Sequence, residues 1–144
     1  MHLLIVESNP EIRALLIALS VRAGDSADGV ARADEALRAL ASRHYDAAMI
    51  DLRLADGEGV AVLRRLRALG SAMPVAVCAG LADGALRAMM LDDGADVVVE
   101  RPSCLAEALN RLRALPRRAG AGRGAPTCPR PAAPLCSSFN AAAG

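Results

Sequence analysis

Ala47-Ala48-Met49-Ile50-Asp51 is an unbroken apolar run that ends on a carboxylate, and Leu52-Arg53-Leu54-Ala55-Asp56-Gly57 then carries the chain away. A short apolar run without polar alternation reads as a strand covered on both faces. Three further runs read the same way: Leu3-Leu4-Ile5-Val6 before Glu7, Val75-Ala76-Val77-Cys78 after Pro74, and Val97-Val98-Val99. Residues 26–30 make a poorer strand. Helical periods fill the intervals. Asn9-Pro10 supplies a cap and a first-turn proline, after which Ile12, Leu15, Leu16 and Leu19 recur at helical spacing until Gly24. Ala36, Leu37, Leu40 and Ala41 line a second helix, and Val60, Leu63, Leu66 and Leu69 a third that stops at Gly70. Leu86, Met89 and Met90 mark a fourth, stopped by Gly94; Leu105, Leu109, Leu112 and Leu115 mark a fifth, with Ser103 as its cap.

Five strand–helix alternations with buried strands predict an α/β domain: a doubly wound, five-stranded parallel sheet with helices on both faces. Ligands of such sheets sit beyond the carboxyl ends of the strands. That rule selects Glu7-Ser8, Asp51 and Arg101. The 144 residues suffice for one domain with a real core. The core is aliphatic, since Tyr45 and Phe139 are the only aromatics although the chain is 53% hydrophobic. All 17 basic residues are Arg. Residues 1–115 hold thirteen of them against all sixteen acids, a net of −3 that argues against nucleic-acid binding. Residues 116–144 carry four Arg and no acid in a Pro-, Ala- and Gly-rich text without apolar period. The expectation there is a disordered tail with no output domain. No run approaches the roughly 20 apolar residues of a membrane span, and no signal peptide opens the chain, so a cytoplasmic location is expected. Cys78, Cys104, Cys128 and Cys136 lack any metal-ligand or C-x-x-C spacing.

Four strings in order carry a specific resemblance: residues 3–10 (Leu3 to Pro10), 50–57 (Ile50 to Gly57), Gly94-Ala95-Asp96, and Arg101-Pro102. At these separations residues 2–115 resemble the receiver domains of two-component response regulators, nearest those joined to winged-helix output domains. The resemblance implies a flavodoxin-like fold with strand order 2-1-3-4-5, and phosphorylation of Asp51 by a histidine kinase or phosphotransfer protein. It implies a Mg²⁺ ion held by Glu7, Asp51 and the backbone carbonyl of Arg53. A carboxylate is a poor nucleophile toward a phosphoryl group, and the meeting gathers negative charge that a hard cation must offset.

The sequence departs from that pattern where the chemistry is most demanding. Ser8 stands in place of the main metal-binding Asp. Losing one charge about 4 Å from a divalent ion forfeits several kcal/mol gross even at an effective dielectric of about 20, so the Mg²⁺ site is expected to be weak or lost. Ala79 replaces the switch hydroxyl, Val98 the switch aromatic, and Ala55 the usual Pro. Arg101 keeps the charge of the family Lys with a different geometry. Two function classes follow: a phosphoacceptor whose only enzymology is self-phosphorylation and autophosphatase activity, or a phosphorylation-independent pseudo-receiver that acts as a protein-interaction module. The resemblance also implies weak homodimerisation through helix four, strand five and helix five, with Arg87 and Glu107, and Asp96 and Arg111, as its salt bridges.

Overall fold

The computed structural model describes residues 1–80, 83–100 and 105–115. Along the chain run β1 (His2–Val6), α1 (Pro10–Arg22), β2 (Ser26–Val30), α2 (Ala33–Ser42), β3 (Ala47–Asp51), β4 (Arg53–Leu54), β5 (Gly57–Glu58), α3 (Gly59–Ala68), β6 (Val75–Ala79), α4 (Gly84–Asp92), β7 (Val97–Glu100) and α5 (Leu105–Ala114). Five strands form one parallel sheet in the order β2-β1-β3-β6-β7. Counted along the chain this is the expected 2-1-3-4-5. The tail of residues 116–144, Arg101 and the Ser103 cap lie outside the described residues.

The continuous apolar runs are explained by what covers each face. In β1 and β3, Leu4, Val6, Ala48 and Ile50 pack with Ala36 and Leu40 of α2, Val60, Leu63 and Leu66 of α3, and Met90 of α4. Their alternates Leu3, Ile5, Ala47 and Met49 pack with Leu16 of α1 and Ala108, Leu109 and Leu112 of α5. With strand side chains alternating at period two, no strand position of β1 or β3 inside the sheet can be polar without losing apolar burial. The weak strand at residues 26–30 takes the edge, paired only to β1. Helices α1, α3 and α4 are followed by Gly24, Gly70 and Gly94 with positive φ, the left-handed stops expected at those positions.

One element was not anticipated. Arg53–Leu54 and Gly57–Glu58 pair as a small antiparallel hairpin directly after β3. Asp56 at its tip reaches across to α2, accepting from the Ala33 amide at 2.7 Å and the Asp34 amide at 3.1 Å. It thereby satisfies two of the orphan amides of a helix whose own cap position, Arg32, makes no side-chain capping bond. Glu35 adds bonds back to the Ala31 and Arg32 amides.

Candidate functional site

At the carboxyl edge of the sheet the ends of β1, β3 and β6 open a cleft of about 500 Å³, lined by Glu7, Ser8, Asn9, Asp51, Leu52, Arg53, Gly80 and Leu86. Its two carboxylates are buried, Glu7 at 2% and Asp51 at 8% exposure. Main-chain bonds fix both. The Glu7 amide donates to Val30 at 2.9 Å, extending the β1–β2 pairing by one residue, and the Leu52 amide donates to Cys78 at 2.8 Å. The first residue of α3, Gly59, presses directly on Asp51: a Cβ there would lie 2.0 Å from the Asp51 carbonyl oxygen. Only glycine lets the helix start so close. The cleft therefore follows from packing of the strand ends as well as from its own polar contacts.

The loop that carries Glu7 and Ser8 is held by the expected cap Asn9 and by Arg13, which pattern reading did not single out. Asn9 caps α1 as expected, with Oδ1 accepting from the Glu11 and Ile12 amides, while its own amide donates to Glu7 Oε1 at 2.9 Å. Arg13, one turn into α1, donates to the Glu7 carbonyl at 2.7 Å and to that of Ser8 at 3.4 Å. Its spacing to the loop is visible in the sequence, but only the fold shows that it turns back. Ser8 Oγ donates to the Arg53 carbonyl at 3.3 Å, so the hydroxyl joins the loop after β1 to the loop after β3.

The cleft lining offers oxygen ligands of the kind a divalent cation takes. Glu7 and Asp51 offer carboxylates and Arg53 a carbonyl, a hard oxygen set of the kind Mg²⁺ takes with waters completing its octahedron. Among the described residues no three His, Cys, Asp or Glu side chains converge as a metal site. Ser8 brings a neutral hydroxyl, and its proton is directed at the Arg53 carbonyl. Outside the cleft lining, Ala79 ends β6 fully buried and Val98 is buried beside its register partner Val77. Neither supplies a polar group. Cys78 packs with Ile5, Met49 and Val99 in the layer under α1 and α5 and does not line the cleft.

The expected pairing residues divide. Arg87, Glu107 and Arg111 do share a small hollow of about 110 Å³ between α4, β7 and α5, together with Glu100. Within the chain Arg87 already pairs with Glu100 at 2.9 Å and donates to the Val98 carbonyl, and Arg111 pairs with Glu107 at 2.6 Å. Asp96 is elsewhere, which corrects its place in the expected set. Its Oδ2 accepts from Arg67 at 3.0 Å and from the Val75 amide at 2.8 Å. That ion pair is mostly buried, and Arg67 also binds the carbonyls of Ser71, Met73 and Gly94.

Known proteins resemble the chain in both sequence and fold. A family model described as a response regulator receiver domain matches residues 3–113. The transcriptional regulatory protein KdpE of Mycobacterium tuberculosis is 40% identical over 116 residues, covering 80% of this chain and 50% of that protein. The chain spans about half the length of the curated relatives it matches. Among solved structures, the receiver domain of a Francisella response regulator superposes with a TM-score of 0.75 over 78% of this chain and 93% of that one, at 20% identity, a likeness of fold. The receiver domain of the sensor histidine kinase PA1611 of Pseudomonas aeruginosa, which has a magnesium ion coordinated in its active-site cleft, matches at TM-score 0.69 and 27% identity over 78% and 93%.

Proposed function

The chain belongs to the response regulator receiver family, and from that premise we propose that Asp51 accepts a phosphoryl group from a histidine kinase or phosphotransfer protein, through a weakened metal site and a switch that has lost both its hydroxyl and its aromatic ring. The observation that carries this reading is the position of Asp51: it closes β3 inside the cleft, buried beside Glu7 and held from behind by Gly59. In the transfer an Asp51 carboxylate oxygen forms a bond to phosphorus as the P–N bond of the phosphohistidine breaks, and the imidazole leaves with its electron pair. A Mg²⁺ bound at Glu7, Asp51 and the Arg53 carbonyl supplies the charge neutralisation the reaction needs. Glu7 contributes negative charge to hold that cation and is itself oriented by the Asn9 amide. Arg101, following β7, takes the part of the cation that receives the phosphoryl oxygens.

The output side of the reading is attenuated. A modification shifts a conformational equilibrium only through contacts that differ between the two states. Ala79 has no hydroxyl to follow the phosphoryl group and Val98 no ring to rotate, so the face of α4, β7 and α5 changes little on phosphorylation. The protein acts in the cytoplasm as a signalling module, without enzymology beyond its own acyl phosphate. Among the described residues no helix is long and apolar enough to cross a membrane. Intact mass after incubation with acetyl phosphate and Mg²⁺, against an Asp51→Asn control, tests the proposal. One added phosphate that the control lacks is expected. Absence of the adduct on folded protein refutes it and leaves the phosphorylation-independent interaction module.

A further inference from the structure

Gly29 lies in β2 against α1. A Cβ there would stand 2.7 Å from Ile17 Cδ1, 2.9 Å from Arg13 Cγ and 3.0 Å from Arg13 Cδ. Its φ is not positive, so the position asks for glycine by space and not by backbone conformation. Arg13 and Ile17 are four residues apart and share one face of α1, the face laid on that bare stretch of strand. An arginine near the start of a surface helix is ordinarily left to solvent. Arg13 is instead half-buried along the strand. It directs Nη1 at two successive carbonyls of the loop after β1, Glu7 at 2.7 Å and Ser8 at 3.4 Å.

Both bonds act on Glu7. Its amide is tied to the Val30 carbonyl at 2.9 Å, so with its own carbonyl held by Arg13 the residue is fixed on either side of its Cα. The bond to Ser8 works through a peptide plane. A trans peptide points its C=O and N–H in opposite directions. A donor that draws the Ser8 carbonyl to itself therefore turns the Asn9 amide the other way, where Glu7 Oε1 accepts it at 2.9 Å. Charged donors make the stronger class of hydrogen bond, and bonds in series strengthen one another. We propose that Arg13 is the positioning residue of the Glu7 carboxylate, and that the missing side chain of Gly29 is what lets its stem reach the loop. Its part is to aim a ligand, as the outer-shell partners of metal sites do. The inference rests on the proposed cation site but not on phosphoryl transfer.

Two substitutions on different elements test it. Arg13→Met keeps an unbranched stem and the helix propensity while removing the donors; Gly29→Ala adds the Cβ that displaces the stem. Amide chemical shifts of the full chain during a Mg²⁺ titration read the affinity, and hydrogen exchange without the ion reads the Asn9 amide. Each variant should bind Mg²⁺ about tenfold more weakly and exchange the Asn9 amide faster. Gly29→Ala acts through a side chain that Arg13→Met has already stripped of its donors, so the double variant should bind no worse than Arg13→Met alone. A merely structural role would lower the urea midpoint and leave both the affinity and the Asn9 exchange of the folded protein unchanged, which overturns the proposal. Additive losses, about a hundredfold in the double variant, overturn it too, as does an unsubstituted protein that binds no Mg²⁺. If the affinities change as expected but acetyl phosphate gives no Asp51 adduct, the transfer reading falls and this one stands.

Discussion

Alanine at position 59 sets two effects of opposite sign against each other. Gly59 opens α3, and in a helix glycine is about 1 kcal/mol worse than alanine. On propensity alone Gly59→Ala stabilises. The added Cβ, however, would stand 2.0 Å from the Asp51 carbonyl oxygen, 2.6 Å from Ile50 Cγ2 and 3.0 Å from the Asp51 carbonyl carbon. Two of those three atoms are backbone of a central strand, whose following amide, Leu52, is bonded to Cys78. The helix must therefore retreat by about 1 Å or more. That movement strains the 2.8 Å bond from the Gly59 amide to Leu52, worth about 1 kcal/mol, besides an overpacking cost of about 1–3 kcal/mol. After subtracting the propensity gain, a net loss of about 1–3 kcal/mol remains, or a fall of about 4–12 °C in Tm for a domain of this size. Gly84 is the matched control, since it opens α4 with nothing within 4 Å of its Cβ position. Gly84→Ala should be neutral or stabilise by up to about 1 kcal/mol. Urea unfolding followed by circular dichroism measures both. If the two substitutions shift stability in the same direction, the packing argument for the cleft is wrong.

Three other outcomes are expected. Asp56→Ala removes the carboxylate that caps α2 from the hairpin and should cost about 1 kcal/mol, with hydrogen exchange accelerated at the Ala33 and Asp34 amides; unchanged exchange there would contradict the cap. Burial alone would raise the Asp25 carboxyl, but hydrogen bonds and charge from the Met1 ammonium and Arg113 outweigh it and hold the group below its ordinary 3.8. Because the folded value is the depressed one, its stabilisation is present above about pH 3.8 and lost as pH falls through the lowered value. The urea midpoint of Asp25→Asn should therefore trail that of the unsubstituted protein at pH 7 and approach it near pH 2, and a constant gap would refute the linkage. Ser8→Asp returns a third carboxylate to the cleft. Calorimetry should find Mg²⁺ affinity raised at least about tenfold, with lower stability when the ion is withheld; equal affinity would mean that Ser8 is not what weakens the site.

How far the sequence discloses the fold depends on which contacts are local. Strand and helix identities were legible because each buried face imposes its own period: the continuous runs of β1 and β3 require cover on both sides, and Ala36 and Leu40 or Val60, Leu63 and Leu66 repeat at helical spacing over it. Strand ends were legible for the same reason, since Glu7 and Asp51 are where the apolar runs stop. The Asn9 cap involves the next three residues alone and was equally visible. The connections that shape the cleft are of another kind. Asp56 caps a helix 22 residues upstream, Ser8 bonds a carbonyl 45 residues downstream, and Asp96 answers Arg67 29 residues earlier. Nothing in local spacing distinguishes such partners from solvated side chains, and Asp96 was assigned to a surface face for that reason. Met89 shows the converse limit: it shares the helical spacing of Met90, yet it is 53% exposed while Met90 is buried.

The backing of Asp51 by Gly59 has a bearing on how this domain could change over time. Because the main chain of Asp51 is wedged between α3 and β6, its place is dictated by the same contacts that let the protein fold. Ser8 at the rim carries a lighter duty, one 3.3 Å bond to the Arg53 carbonyl, so a substitution there leaves the concave shape of the cleft in place while it changes the groups that face into it.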